Sequence, residues 1–181
     1  YNNNAYRISD ETLHFNGEST LISLQNGGGK SVLVQMLTAP FVHPRYRNTK
    51  DRLFESYFTT NKPSFILVEW ALDQGAGYVL TGLMVRKSQD MEEDRKENLD
   101  IIGIVSEYQS PCIQDIHHLP VVEKGKKEMI LKNFNSCRQL FESYKKDRDM
   151  KFFYYDLTNY AQSRQYFDKL MEYQINYKEW E

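Results

Sequence analysis

Three consecutive glycines followed by a lysine and a serine, Gly27-Gly28-Gly29-Lys30-Ser31, restrict this chain more than any other stretch. Glycine enters the left-handed region of φ without a steric penalty, so a run of them lets the backbone curl until neighbouring N–H groups converge on one spot. The apolar run Thr20-Leu21-Ile22-Ser23-Leu24 leads into the curl and reads as a strand, while Val32-Leu33-Val34 reads as the opening of a helix. A helix beginning near Lys30 would aim its positive end at the same spot. Strand, glycine loop and helix are the setting in which such a motif cradles phosphate. The candidate ligand-binding residues are therefore Asn26, Gly27, Gly28, Gly29, Lys30 and Ser31. In this reading the glycine amides hold phosphate oxygens, Lys30 neutralises the β- and γ-phosphates, and the Ser31 hydroxyl coordinates Mg²⁺. A nucleoside triphosphate with Mg²⁺ is the expected ligand. A full Walker A run, Gly-x-x-x-x-Gly-Lys-[Ser/Thr], would place its first glycine at position 24, where this chain has Leu24.

The bulk properties exclude several classes. A length of 181 residues is enough for one domain with a core, or for one lobe of a larger unit. With 23 basic and 25 acidic side chains the net charge is −2, so no global basic field marks a nucleic-acid binder, although a local patch remains possible. No apolar run approaches the ~20 residues that span a bilayer, and no leader pattern is present. Cys112 and Cys137 are far apart and without metal-ligand spacing, which suits buried, reduced thiols in a cytoplasmic protein. His14, His43, His117 and His118 form no metal motif. The chain opens on Tyr1 and closes on Trp180-Glu181, ends that read as cut from a longer protein.

Patterning along the chain predicts the remaining elements. Tyr6–Phe15 has strand character up to the turn Asn16-Gly17, and the loop helix should run from Lys30 to about Ala39, where Pro40 stops it. Ser64–Leu72 and Tyr78–Arg86 flank the glycine-bearing turn Asp73–Gly77 and predict a β-hairpin. Residues 87–100 are almost wholly charged or polar and read as a mobile loop. Ile101–Tyr108 and Phe152–Asp156 read as strands. Ile130, Phe134, Cys137, Phe141 and Tyr144 recur at three- and four-residue steps and predict an amphipathic helix over 126–146, and a last helix is expected over about 162–173.

The loop Gln25-Asn26-Gly27-Gly28-Gly29-Lys30-Ser31 resembles the Asn-Gly-x-Gly-Lys-Ser loop of SMC-like ATPases of the ABC class. The order of strands, loop, short helix, polar stretch and hairpin looks most like the N-terminal head lobe of bacterial MukB-like condensins, including those of plasmid-defence systems. The resemblance covers roughly residues 5–90 and extends only loosely beyond them. It implies an α/β fold of the P-loop NTPase type: a mixed sheet with an antiparallel hairpin and flanking helices over 1–181, the segment 162–181 leading toward a coiled coil. It also implies an ATP-binding half of a head that closes on a second head when ATP binds and drives DNA organisation, chromosome segregation or plasmid defence in the bacterial cytoplasm, at the nucleoid. The partners it implies are that second head, a C-terminal lobe of the same protein, a kleisin-like subunit and DNA, with no membrane. In the family the C-terminal lobe carries Walker B and the signature motif; this chain has no Leu-Ser-Gly-Gly-type signature and no four apolar residues followed by Asp-Glu. By that argument the lobe by itself binds ATP weakly and hydrolyses it poorly, and no catalytic residue is assigned within it.

Two alternatives compete. In the first, the chain is a complete small P-loop NTPase or kinase in which Asp156, closing Phe152-Phe153-Tyr154-Tyr155, plays Walker B. In the second, it is a non-hydrolysing module whose interactions nucleotide merely gates. Glu69 also follows an apolar run, but the strand continues past it through Trp70, which suits an outward-facing hairpin residue. Arg45, Arg47, Lys50 and Arg52 cluster after the loop helix and are the candidate DNA-binding residues, set against a solvated surface. Gln35, one helical turn beyond Ser31, is expected to pack rather than react.

Overall fold

The computed structural model describes residues 11–88, 98–109, 122–124, 129–131 and 150–175. Its first regular element is the helix α1, Lys30–Thr38. A four-stranded sheet follows, built from β1 (Ser64–Ala71), β2 (Tyr78–Lys87), β3 (Leu99–Tyr108) and β6 (Met150–Asp156) in the order β1-β2-β3-β6. A separate pair joins β4 (Val122–Lys124) to β5 (Met129–Leu131), and the helix α2, Tyr160–Glu172, comes last. Each pairing in the four-stranded sheet is antiparallel. The architecture is thus mixed α/β, with an antiparallel sheet where a mixed one was expected.

The predicted hairpin forms in register, Phe65 opposite Met84 and Ala71 opposite Tyr78. Side chains alternate across the strands, and here both faces are apolar. One face presents Ile66 and Trp70 of β1, Val79, Leu83 and Val85 of β2, Ile101 and Val105 of β3 and Phe153 and Tyr155 of β6. Onto it pack Val32, Met36 and Ala39 from α1 and its end, Phe54, Tyr57 and Phe58 from a 3₁₀ segment, and Tyr166, Phe167 and Leu170 from α2. The opposite face carries Phe65, Leu80, Met84, Ile102, Ile104, Tyr108 and Phe152, all buried. Strands buried on both faces read as continuous apolar runs, which explains why β2 and β3 show little alternation in the sequence.

Polar links fix the layers. The Trp70 indole donates to the hydroxyl of buried Thr81 at 2.9 Å. Arg86 and Asp100, paired across β2 and β3, meet at 3.0 Å. Glu107 of β3 accepts from the Tyr173 hydroxyl and lies 3.6 Å from Lys169 of α2, whose ammonium sits over the Phe153 and Tyr173 rings. α2 is capped by the Asn159 side chain, which accepts from the Gln162 N–H at 3.1 Å.

Several expectations change. Residues 19–24 form no strand: they carry no regular structure, and Leu21 is 93 % exposed. Residues 11–15 are likewise irregular, with Leu13 and Phe15 exposed; the rest of the predicted 6–15 strand lies outside the described residues. A strand exists only through a neighbour that accepts its ladder bonds, and apolar composition alone does not provide one. Met129–Leu131 pairs as a strand, so the helix predicted over 126–146 does not include these residues; its remainder lies outside those described, as do Cys112, Cys137, His117 and His118. Of the segment 87–100 predicted as a mobile loop, Lys87 closes β2 and Leu99 and Asp100 open β3, while residues 89–97 lie outside those described. Helix α2 begins two residues earlier than predicted, at Tyr160, and it closes at Glu172 rather than continuing as a regular element through Gln174, whose φ is +58°.

Candidate nucleotide site

The glycine loop is curled, and each glycine has its own reason. Gly28 N–H donates to Gln25 O at 2.9 Å, closing a tight turn over residues 25–28. Gly27 stands at the third position of that turn with φ +78°, a value that a side chain there would oppose. Gly28 cannot carry a Cβ without approaching Gln25 O to 2.8 Å. Gly29, with φ +83°, is the residue from which α1 starts, and its carbonyl accepts the Leu33 N–H at 2.9 Å.

The amino end of α1 is open. Among the described residues no side chain caps it, and its first turn contains no acidic residue. The first N–H groups of a helix have no partner within the helix, so this end presents donors and a positive partial charge. Asn26, Gly27, Gly28, Gly29, Lys30 and Ser31 are all solvent-exposed. The structure brings the six together in one short curl. The curl thus sets main-chain groups, the exposed Lys30 ammonium and the exposed Ser31 hydroxyl side by side at the start of α1. Lys30 and Ser31 are suited to a phosphate chain and to its Mg²⁺ respectively, and a Cβ at Gly28 would crowd the turn from within.

The other end of α1 is anchored by polar groups that the sequence reading largely missed. Gln35 packs, as expected, and is the buried residue of the helix. Its amide donates to Arg47 O at 2.6 Å and its carbonyl accepts from the Tyr57 hydroxyl at 2.9 Å. The Arg47 guanidinium donates through Nε to Ala39 O at 3.1 Å and stands over the Phe54 ring. The Tyr166 hydroxyl, from α2, donates to Pro40 O at 3.1 Å. Burial pushes the Tyr166 phenol well above its ordinary range, and the nearby Arg47 charge opposes that shift. Arg47 invited the error because its neighbours in sequence are basic and exposed; the available signal was the aromatic run Phe54, Tyr57, Phe58, of which Phe54 stacks under its guanidinium.

The four predicted basic residues therefore separate. Arg47 is 2 % exposed and directed inward, so it presents no charge to an external phosphate. Arg45, Lys50 and Arg52 are exposed, with Arg45 over the Tyr46 ring and Arg52 over the Tyr57 ring. The two carboxylates that imitate Walker B are both occupied locally. Asp156 Oδ1 accepts from the Thr158 N–H and hydroxyl at 3.0 and 2.7 Å, shaping the turn from β6 into α2. It lies at the end of an edge strand antiparallel to β3. Glu69 accepts from the Tyr108 hydroxyl across the sheet. Among the described residues no group of three or more His, Cys, Asp or Glu side chains is arranged to hold a metal, and no helix is long and apolar enough to cross a membrane.

Comparison with protein-family models, with curated proteins and with solved structures yields no match to this chain.

Proposed function

We propose that this chain is the nucleotide-binding half of an ATPase head, holding Mg-ATP at Asn26–Ser31 and relying on other parts of the machine for hydrolysis. The observation that carries the reading is the closed turn of three glycines feeding an uncapped, acid-free helix start, with Lys30 and Ser31 exposed at its mouth. The roles are those of the motif less one donor: amides of Gly27 and Gly29 on phosphate oxygens, Lys30 on the β/γ charge and Ser31 on Mg²⁺, the Gly28 N–H being held by Gln25 O. A mechanism follows from a half-site. ATP and Mg²⁺ settle on the loop, a second head closes over the γ-phosphate, and hydrolysis with groups from outside this lobe reopens the pair.

Two features favour the half-head over the self-contained enzyme. Asp156 is engaged by Thr158 in the turn after β6, and the segment before the loop leaves Leu13, Phe15, Leu21 and Ile22 exposed among the described residues. A C-terminal lobe that supplies neighbouring strands would cover it. The wider reading is an SMC-like, cytoplasmic, DNA-organising machine with a kleisin-like subunit, and it rests on the resemblance of the loop. In it, DNA contact falls to Arg45, Lys50 and Arg52. Mg-ATP titration of the purified protein tests the site: Lys30→Ala should abolish binding while the folded signal persists, and unchanged affinity would refute the assignment.

A further inference from the structure

The loop helix is held in an unusual way, and this has a functional consequence. Helix α1 has nine residues, and the buried one among them is a glutamine. Val32 and Met36 contribute apolar contact, but they are only partly buried. Apolar contact is non-directional and permits a short helix to slide or rotate. Hydrogen bonds to buried groups define both position and rotation. Four such bonds converge on the carboxyl half of α1 and the turn after it. Tyr57 and the Arg47 carbonyl clamp Gln35, the Arg47 guanidinium holds Ala39 O, and Tyr166 holds Pro40 O.

We infer that Gln35, Tyr57, Arg47 and Tyr166 are positioning residues for the phosphate loop, setting the shape of the glycine curl from the far end of α1. None of them reaches the loop's mouth. Gln35 lies one turn beyond Ser31 on the same side of the helix, so fixing its amide fixes the direction of the first-turn N–H groups. Tyr57 comes from the 3₁₀ segment before the hairpin, and Tyr166 comes from α2. The network thus joins the loop to both flanking units of the lobe, and occupancy of the loop is linked to the order of those units by the same free energy in both directions.

The second half of this inference rests on the nucleotide reading; the first does not, and the test separates them. Hydrogen exchange is followed at the Gly28 and Leu33 amides, which are bonded to Gln25 O and Gly29 O, in nucleotide-free protein. Mg-ATP affinity is measured on the same samples, well below the unfolding temperature. The variants are Tyr57→Phe, which removes only a hydroxyl, and Gln35→Leu. The control is Tyr108→Phe, which removes a hydroxyl bond on the opposite sheet face. The expected result is exchange about fivefold faster at the two amides and affinity about fivefold weaker in both variants, the effect of one ordinary buried hydrogen bond, with neither changed in the control. Unchanged exchange, equal change in the control, or faster exchange with unaltered affinity overturns the positioning role. Faster exchange in a protein whose wild type does not bind Mg-ATP supports the mooring of the loop and refutes the nucleotide reading alone.

Discussion

Tyr166 shows how much one side chain can settle. It is fully buried, its ring lies between Tyr155 and Phe167, and its hydroxyl reaches Pro40 O just beyond the loop helix. Tyr166→Phe keeps the ring and deletes the bond, so it should cost about 1–2 kcal/mol in denaturant unfolding. The same residue gives a pH signature. Burial raises its folded-state pKa above the unfolded value of 10.0, so the folded state holds the phenolic proton more tightly than the unfolded chain. The stability this provides is fully present below pH 10 and falls as pH climbs above it. Tyr155, raised by burial and then by the Glu172 carboxylate, acts in the same direction. Unfolding free energy measured from pH 9 to 12 should fall less steeply in Tyr166→Phe than in wild type; parallel curves would mean that the phenol is accessible.

Between elements, the contact of α2 with the sheet depends on a missing side chain. Gly103 sits in the middle of β3, where a Cβ would come within 2.5 Å of the Tyr166 ring. Gly103→Ala should therefore destabilise the protein by about 1–3 kcal/mol, although alanine is ordinarily the better strand residue, and Tyr166→Leu in the same chain should recover much of that loss. This glycine was invisible to sequence reasoning, because its purpose lies in a ring 63 positions further along (166 against 103). The hairpin, β3, β6 and both helices were legible, since their apolar runs and breakers are local signals. The segment 19–24 was misread for the converse reason. Thr20-Leu21-Ile22-Ser23-Leu24 has the composition of a strand, but a strand's partner is a fact of tertiary structure. The curl over residues 25–29 could be read from its glycines, whereas the burial of Arg47 could not, because charge run and charge burial look alike until the Phe54 ring beneath the guanidinium is placed.

At the scale of the molecule, an antiparallel sheet is buried on both faces, and an irregular segment with exposed apolar side chains leads to the glycine curl. The basic surface near α1 is smaller than its composition suggested. If DNA binds there, reversing Arg45 and Arg52 to Glu in the intact protein should weaken DNA binding and lower the salt slope by about 2, near one counterion per lost contact. Arg47→Glu should instead unfold the protein, since it buries an uncompensated charge; a folded Arg47→Glu variant with weakened DNA binding would place that side chain outside. The central claim concerns the loop, and amide chemical shifts test it most directly. Mg-ATP, Mg-ADP and adenosine are titrated into labelled protein. The account predicts large shifts at Gly27, Gly28, Gly29, Lys30 and Ser31 that grow with the number of phosphates and vanish for adenosine. Equal shifts for adenosine and ATP, or shifts confined to residues away from the loop, would contradict it.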